Sequence, residues 1–263
     1  MIIGLVHPGA MGAEVGRAAR SGAAAVRWAS EARSDATRAR AQDAGLDDTQ
    51  TLGELVSAAD IVLSVVPPHG AVDQARAALD AGFGGLYCDA NAIAPSTARE
   101  IRGLVTAAGA GYVDGSLIGP PPRRPGDTRL YLSGDRAGEI AALFDGSILE
   151  ARVLDGHDLA ASALKMCYAA FSKGTTALLA NIQQLARAEG VTDALLAEWD
   201  DDLPPLLDWA ASADRRPHPK AWRFIGEMEQ IARAFADRDL PEGFHTAAAA
   251  VYRRIADEPG PPA

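Results

Sequence analysis

Short apolar runs alternate with helix-like patterns over the first part of the chain, and this alternation is the main structural signal. Buried strands are predicted at residues 1–6, 24–29, 60–66, 86–89, 112–117 and 129–133. Helices are predicted between most of these runs, at residues 11–21, 36–44, 51–58, 70–80 and 96–108. Strands that alternate with helices imply right-handed crossovers, so the pattern predicts a parallel, doubly wound sheet.

Beyond residue 152 the pattern changes to helix alone. Residues 160–189 have the length and composition of one long helix without proline, and shorter helices broken by proline follow to about residue 257. The last six residues, EPGPPA at 258–263, predict a disordered tail. We therefore predict an α/β domain at residues 1–152 and an all-α domain at residues 153–263.

The turn after the first apolar run has the residue types of a phosphate-binding loop. Residues 4–12 are GLVHPGAMG, whereas a Rossmann fingerprint is a strand, then G-x-G-x-x-G, then a helix. Gly9 and Gly12 supply the second and third glycines, and His7 replaces the first. Gly9 lets the backbone approach a pyrophosphate, and Gly12 lets the helix pack against the strand. The turn predicts a Rossmann dinucleotide site at Gly9, Ala10, Met11 and Gly12.

The end of the second predicted strand indicates which dinucleotide binds. An NAD site usually places a carboxylate there to hold the ribose hydroxyls, but no carboxylate stands at this strand tip. Ser30, Arg33 and Ser34 are predicted to receive a 2′-phosphate, with Arg33 as its charge partner. A shifted register would instead make Glu31 a ribose ligand. The sequence therefore favours NADP over NAD as the cofactor.

Charge and composition narrow the classes of partner. The net charge of −10 disfavours nucleic acid and anionic membrane surfaces as partners. No apolar run reaches the roughly 18 residues of a membrane span, and the first residues lack the basic flank of a signal peptide. We expect a cytoplasmic protein. Cys88 and Cys167 form no C-x-x-C pair, so no disulfide or zinc site is expected and both are predicted to be buried.

Further segments resemble a known family. They are DIVLSVVPP at 60–68, DANAIAPST at 89–97, DGSLIG at 114–119 and ASALKMCYA at 161–169. In this order after HPGAMG, they are similar to motifs of the β-hydroxyacid dehydrogenases, which include 6-phosphogluconate and 3-hydroxyisobutyrate dehydrogenases. The helical tail is shorter than is usual in that family. The resemblance implies an α/β Rossmann domain followed by an all-α domain, and hydride transfer on a small hydroxy- or oxo-acid.

The resemblance also implies roles for individual residues. Lys165 falls where the family has its general acid/base, and its apolar neighbours favour a pocket-lining position with a lowered pKa. Tyr168 and Ser172 share roughly its helix face and are predicted to replace a hydrogen bond lost with Ala169, where the family has asparagine. The predicted catalytic residues are Lys165, Ser116 and Tyr168. The predicted substrate ligands are Ser116, Gly119, Lys165, Tyr168 and Ser172, and the nicotinamide pocket is predicted to include Val66, Pro67 and Asn91.

The sequence also bears on the oligomeric state and on the reaction, for which more than one alternative stays open. The family's use of a partner subunit and the small helical domain predict a homodimer through that domain. Glu227, His218 and His245 are candidates for substrate contacts, although a structural role is favoured for each. Imine reduction, decarboxylating dehydrogenation and a non-catalytic dinucleotide-binding module are the alternative functions. Lys165 argues against an imine reductase, and its retention with Ser116 argues against a non-catalytic module.

Overall fold

A computed structural model describes residues 1–213 and 221–257 of the chain. His218 and the predicted tail at 258–263 lie outside these residues. The backbone divides into two units, Met1–Lys165 and Met166–Ala263. The predicted domain boundary at residue 152 falls within the last strand of the first unit, Glu150–Val153.

The first unit is built on one sheet. Within the described part of the chain its eight strands are β1 (Ile2–Leu5), β2 (Ala25–Trp28), β3 (Asp47–Asp48), β4 (Ile61–Ser64), β5 (Leu86–Asp89), β6 (Gly111–Ile118), β7 (Arg129–Ser133) and β8 (Glu150–Val153). Their order is β3-β2-β1-β4-β5-β6-β7-β8. The first six strands follow the order of a dinucleotide-binding sheet.

Helices cover both faces of this sheet because its strands are apolar on both sides. They are α1 (Ala10–Ala19), α2 (Asp35–Asp43), α3 (Leu52–Ala58), α4 (Ala71–Asp80), α5 (Pro95–Ala107) and α6 (Ala137–Ala142). Leu5 and Leu63 belong to the core on the α1 side, and Val62 and Tyr87 belong to the core on the opposite side. Burial on both faces explains why the sequence shows continuous apolar runs instead of alternation.

One strand pairing differs from the predicted parallel sheet. β7 runs antiparallel to β6, with Asp114 opposite Ser133 and Ile118 opposite Arg129, while the other strand pairs are parallel. The connection at residues 119–128 contains no helix. An antiparallel pair can be closed by a short loop, whereas a parallel neighbour needs a crossover of a dozen or more residues.

The strand order places a crevice beside β1. The chain leaves β1 towards β2 on one side, and the second half of the sheet begins with β4 on the other. Open α/β sheets bind ligands at such a switch point, outside the carboxyl ends of the strands. The turns after β1, β4 and β5 therefore occupy the expected position of a cofactor site.

The second unit is helical throughout its described part. Helix α7 (Ala160–Ala188) contains the division between the units, and it is followed by α8 (Thr192–Asp202), α9 (Pro205–Ala213), α10 (Ala221–Ala236) and α11 (Gly243–Asp257). Met228, Ile231 and Tyr252 lie in the core of this unit. Among the helices described, none is both long and apolar enough to cross a membrane. The predicted fold class, an α/β Rossmann domain followed by an all-α domain, is confirmed.

Candidate dinucleotide and catalytic site

The turn after β1 forms a glycine cradle at the start of α1. Gly9 is the N-cap of α1, and no side chain caps the helix, which leaves its first N–H groups for another acceptor. A Cβ at Gly12 would lie 2.2 Å from the carbonyl oxygen of His7, so only glycine fits this close approach of helix and turn. Ala10 and Met11 are the first helical residues. An uncapped helix N-terminus of this kind fits an anionic group such as a pyrophosphate.

The end of β2 brings a cation to this turn. The guanidinium of Arg33 donates from NH1 to His7 Nδ1 at 3.2 Å and from NH2 to the Val6 carbonyl oxygen at 3.3 Å. Its Nε is buried and has no hydrogen-bond partner among the described residues. The structure therefore brings Arg33 together with the glycine turn.

The two predicted serines at the end of β2 have different surroundings. Ser34 is the N-cap of α2, and its Oγ accepts from the Thr37 backbone N–H at 3.3 Å. Ser30 is buried, and its backbone N–H donates to Asp48 at 3.2 Å. Glu31, the alternative ribose ligand, is exposed. The Ser34 hydroxyl lies 3.1 Å from Thr37 Oγ1, which also accepts a hydrogen bond from a second arginine.

That second arginine, Arg40, was missed from the sequence. Its Nε donates to the Pro8 carbonyl oxygen at 3.3 Å, and its NH2 donates to Thr37 Oγ1 at 2.9 Å. Ser34, Thr37 and Arg40 follow one another at intervals of three residues. Because residues three apart share a helix face, counting from the N-cap serine would have found Arg40.

The turns after β4 and β5 are joined by Asn91. Its Oδ1 accepts from the Val66 backbone N–H at 2.6 Å, and its Nδ2 donates to Ser64 Oγ at 3.0 Å. Its own backbone N–H donates to Asp89 at 3.1 Å. Pro67 follows Val66 and precedes a single 3-10 turn at Pro68–Gly70. The structure therefore brings Val66, Pro67 and Asn91 together, with Asn91 fixing the backbone of the other turn.

Lys165 contacts the strand that carries the predicted substrate residues. Its Nζ donates to the Leu117 carbonyl oxygen in β6 at 2.7 Å, and the side chain is half-buried. Ser116 precedes this carbonyl, and its buried Oγ has no hydrogen-bond partner within the described residues. Gly119 follows two residues later with φ +130°, a conformation that favours glycine. The Lys165 ammonium thus contacts a short segment that carries the Ser116 hydroxyl and the Gly119 backbone.

A buried carboxyl joins the beginning of α7 to the same strand. Asp114 accepts hydrogen bonds from the backbone N–H and the hydroxyl of Ser162 and from the hydroxyl of Ser133. The Ala161 N–H donates to Ser133 Oγ at 3.1 Å. Burial raises the pKa of Asp114 to about 6, against the lowering effect of the Ser162 hydrogen bonds. This network fixes the helical turn that precedes Lys165.

Tyr168 and Ser172 lie in the second unit. The Tyr168 side chain is 46% exposed, and the Ser172 hydroxyl donates to the Tyr168 carbonyl oxygen at 3.1 Å. Cys88 is buried as predicted, but the prediction of a buried Cys167 is wrong. Cys167 lies beside Tyr168 on the exposed side of α7, while Met166 and Ala169 point into the helical core.

The two described tail candidates have partners inside the helical unit. Glu227 forms an ion pair with Lys173 at 2.9 Å between Nζ and Oε2. His245 packs against Phe235 with ring centroids 4.3 Å apart, and burial lowers its pKa. These contacts are of the structural kind that the sequence favoured for both residues.

Comparisons by sequence give two matches. Residues 186–255 match a family model described as a domain of unknown function, DUF1932. An uncharacterised 28.5 kDa protein in the 7S RNA 5′ region of Methanothermus fervidus is 28% identical over 168 residues, which is 62% of this chain. The chain spans 62% of the length of that curated relative.

Solved structures cover nearly the whole chain. MTH1747, a conserved protein of unknown function with structural similarity to 3-hydroxyacid dehydrogenases, is 26% identical with a TM-score of 0.72 over 98% of this chain and 97% of its own. The 3-hydroxyisobutyrate dehydrogenase of Mycobacterium tuberculosis with L-serine has 18% identity and a TM-score of 0.70, and the match covers 98% of this chain and 94% of that one. A reductive aminase from Aspergillus terreus with NADPH and ethyl levulinate has 19% identity and a TM-score of 0.58, over 97% and 93%.

The fold is therefore the two-domain fold of the 3-hydroxyacid dehydrogenases. Together with the motifs, the matches are consistent with a member of the β-hydroxyacid dehydrogenase family, as the sequence resemblance predicted.

Proposed function

We propose that the protein is an NADP-dependent oxidoreductase that transfers hydride to or from a small hydroxy- or oxo-acid. The observation that carries the proposal is the position of Lys165, whose ammonium is held against the Leu117 carbonyl between Ser116 and Gly119. A general acid/base must lie within hydrogen-bond reach of the oxygen whose proton it moves. A substrate bound on this segment places its hydroxyl or carbonyl oxygen within that reach.

The described residues fit a dinucleotide. The uncapped N-terminus of α1 and the close approach at Gly12 suit a pyrophosphate. Arg33 has a buried Nε without an acceptor, which suits an additional phosphate at the end of β2. Val66 and Asn91 stand where the nicotinamide end of an extended dinucleotide is expected. These features support NADP in preference to NAD.

The chain's own residues have distinct roles in this reaction. Val66 and Asn91 would hold the nicotinamide, which would supply or accept the hydride at the substrate carbon. Lys165 donates a proton from Nζ to the carbonyl oxygen during reduction and removes it from the hydroxyl during oxidation. The Ser116 hydroxyl and the Gly119 backbone N–H hold the substrate carboxylate. Tyr168 and Ser172 are proposed to complete the substrate site.

Cofactor binding tests the first half of the proposal. NADPH and NADH are titrated into the wild type, Arg33→Ala and Arg38→Ala, with nicotinamide fluorescence as the readout. Arg38 is an exposed arginine on α2 and is the matched control. We expect tight NADPH binding that weakens about tenfold or more in Arg33→Ala alone, because hydrogen bonds to charged groups contribute about 1.5–3 kcal/mol. Binding of neither cofactor would contradict the proposal and favour a non-catalytic module.

A substrate screen tests the second half. Oxo-acids, hydroxy-acids with and without a β-carboxyl group, and cyclic imines are assayed with the preferred cofactor. Turnover of an acid should be lost in Lys165→Met while NADPH still binds, because the methionine keeps most of the length of the side chain and removes its proton donor. Turnover of imines alone, with Lys165→Met unaffected, would replace the acid assignment with C=N reduction.

We also propose that the protein forms a homodimer through its helical part. Helix α7 presents Phe171, Leu178 and Leu185 at intervals of seven residues, and their exposed fractions are 61%, 58% and 64%. A heptad stripe of large apolar side chains is typical of a helix that packs against another helix. Exposed apolar surface of this kind marks an interaction site.

A further inference from the structure

Two arginines, Arg33 and Arg40, contact the turn after β1, and the turn itself contains His7. Arg33 donates to His7 Nδ1 and to the Val6 carbonyl oxygen, and Arg40 donates to the Pro8 carbonyl oxygen of the same turn. Within the described residues, neither guanidinium forms an ion pair with a carboxylate. Two unpaired cations in a chain of net charge −10 indicate a binding site for an anion.

His7 has a defined role between these cations. A guanidinium is only a donor, so His7 Nδ1 must accept the hydrogen bond from Arg33 and the neutral ring must carry its proton on Nε2. Burial lowers the pKa of His7, and Arg33 and Arg40 lower it further, which keeps the ring neutral near pH 7. A glycine at this position would supply no side-chain acceptor for Arg33. The ring also lies against Gly9, where an added Cβ would be 3.2 Å from its Nε2.

We propose that Arg40 and His7 complete, with Arg33, a binding site for the ribose 2′-phosphate of NADP(H). Arg33 and Arg40 bind the phosphate oxygens, and His7 is a positioning residue that fixes the orientation of the Arg33 guanidinium. The inference rests on the proposed NADP dependence. It adds a second cation that the motifs did not identify, and it explains why a histidine is suitable where the fingerprint has glycine.

The position of Arg40 distinguishes it from an ordinary surface arginine. Its Nε and NH2 are both engaged, by Pro8 and Thr37, so the guanidinium is held beside the turn. Arg38 lies on the same helix but is exposed. Thr37 also contacts the N-cap Ser34 at 3.1 Å between the two hydroxyl oxygens. A hydroxyl pair and two guanidiniums are the donor types that bind a phosphate dianion.

The experiment measures binding of NADPH, NADH and the fragment 2′,5′-ADP. The variants are Arg40→Ala, with Arg38→Ala as its control, and His7→Phe, which keeps a ring and removes the acceptor. His7→Asn returns an acceptor oxygen, and His7→Phe is also made in the Arg33→Ala background. Circular dichroism of each variant establishes that it is folded.

Arg40→Ala is expected to weaken NADPH and 2′,5′-ADP about tenfold or more and NADH less than about twofold. His7→Phe should weaken NADPH binding by roughly three- to tenfold, and His7→Asn should restore part of that loss. In the Arg33→Ala background, His7→Phe should cause no further loss of NADPH affinity. Unchanged NADPH binding in folded Arg40→Ala and His7→Phe would overturn the inference while leaving the proposed function intact. Failure of the wild type to bind either nicotinamide would instead overturn the proposed function.

Discussion

At the scale of single residues, two carboxyl groups lie buried on adjacent strands. Asp89 in β5 is the register partner of Asp114 in β6. Burial raises the pKa of Asp89 to about 7, and the nearby Asp114 contributes in the same direction against hydrogen bonds from Asn91. The Oδ2 of Asp89 has no hydrogen-bond partner in the part of the chain that the structure describes. Its charged form is therefore unfavourable in the fold.

The raised pKa of Asp89 gives a pH dependence of known sign. The folded state retains a proton that the unfolded chain loses near pH 4, so its stabilising contribution is complete below that pH and is lost as the pH rises through about 7. Asp89→Asn removes this loss. Urea unfolding is measured for both proteins at pH 5 and pH 8. Relative to the wild type, the free energy of unfolding of Asp89→Asn should be higher at pH 8 than at pH 5, by at most about 1.4 kcal/mol per pH unit. An equal difference at both pH values would contradict the pKa assignment.

Gly119 gives a second residue-scale prediction. Its φ is +130°, and an added Cβ would lie 2.1 Å from the carbonyl oxygen of Asp127. Gly126 in the same loop has φ +86° and open space around a Cβ, which makes it a matched control. Gly119→Ala should lower the free energy of unfolding by more than the roughly 1–3 kcal/mol of backbone strain alone, and Gly126→Ala should stay within that range. Equal losses in thermal or urea unfolding would exclude the steric effect.

At the scale of elements, the beginning of α7 depends on side chains from the sheet. Ser162 donates both its hydroxyl and its backbone N–H to Asp114. Ser162→Ala should lower the free energy of unfolding by about 1–3 kcal/mol, because one buried carboxylate oxygen loses a hydrogen-bond donor. Ser172→Ala, which removes only a bond within the helix, should change stability by less than about 0.5 kcal/mol. Urea unfolding compares the two, and equal losses would show that the Asp114 contact contributes little.

The same elements show what the sequence could predict. Apolar runs such as 60–66 identified the buried strands because both faces of the sheet are covered. Strand β8 was missed because its residues are largely exposed, with Val153 half-exposed, so no apolar run marks it. β3 is only Asp47–Asp48 and has no apolar residue. The strand at 129–133 was predicted, but the antiparallel direction of β7 was not, because periodicity carries no information about strand direction.

The candidate site was predictable where a local motif defines it. Gly9, Gly12, Asn91 and Lys165 each belong to a segment whose neighbours along the chain indicate the role. The spacing from Ser34 indicates the helix face of Arg40, but its contact with the Pro8 carbonyl oxygen spans 32 residues and arises only through the fold. The motif at 114–119 includes Asp114 but does not indicate its role, because its contact with Ser162 spans 48 residues.

At the scale of the whole molecule, the exposed apolar surface concentrates on helices. Phe171 lies in edge-to-face contact with Trp209, with ring centroids 5.7 Å apart, yet both side chains remain at least half exposed. Large apolar side chains in water are unfavourable by about 25 cal/mol per Å² of surface. A second copy of the chain that covers this stripe would remove that cost from both copies at once, since a twofold interface uses the same surface twice.

The proposed homodimer can be tested by changing the stripe without touching the core. Leu178→Glu with Leu185→Glu places charges at two positions that are already exposed, so the monomer should fold normally. Size-exclusion chromatography with light scattering should give twice the chain mass of 27.4 kDa for the wild type and the single mass for the variant. Leu240→Glu, at an exposed leucine outside α7, is the control and should remain dimeric. If the wild type is monomeric, or if both variants behave alike, the stripe on α7 is not the interface.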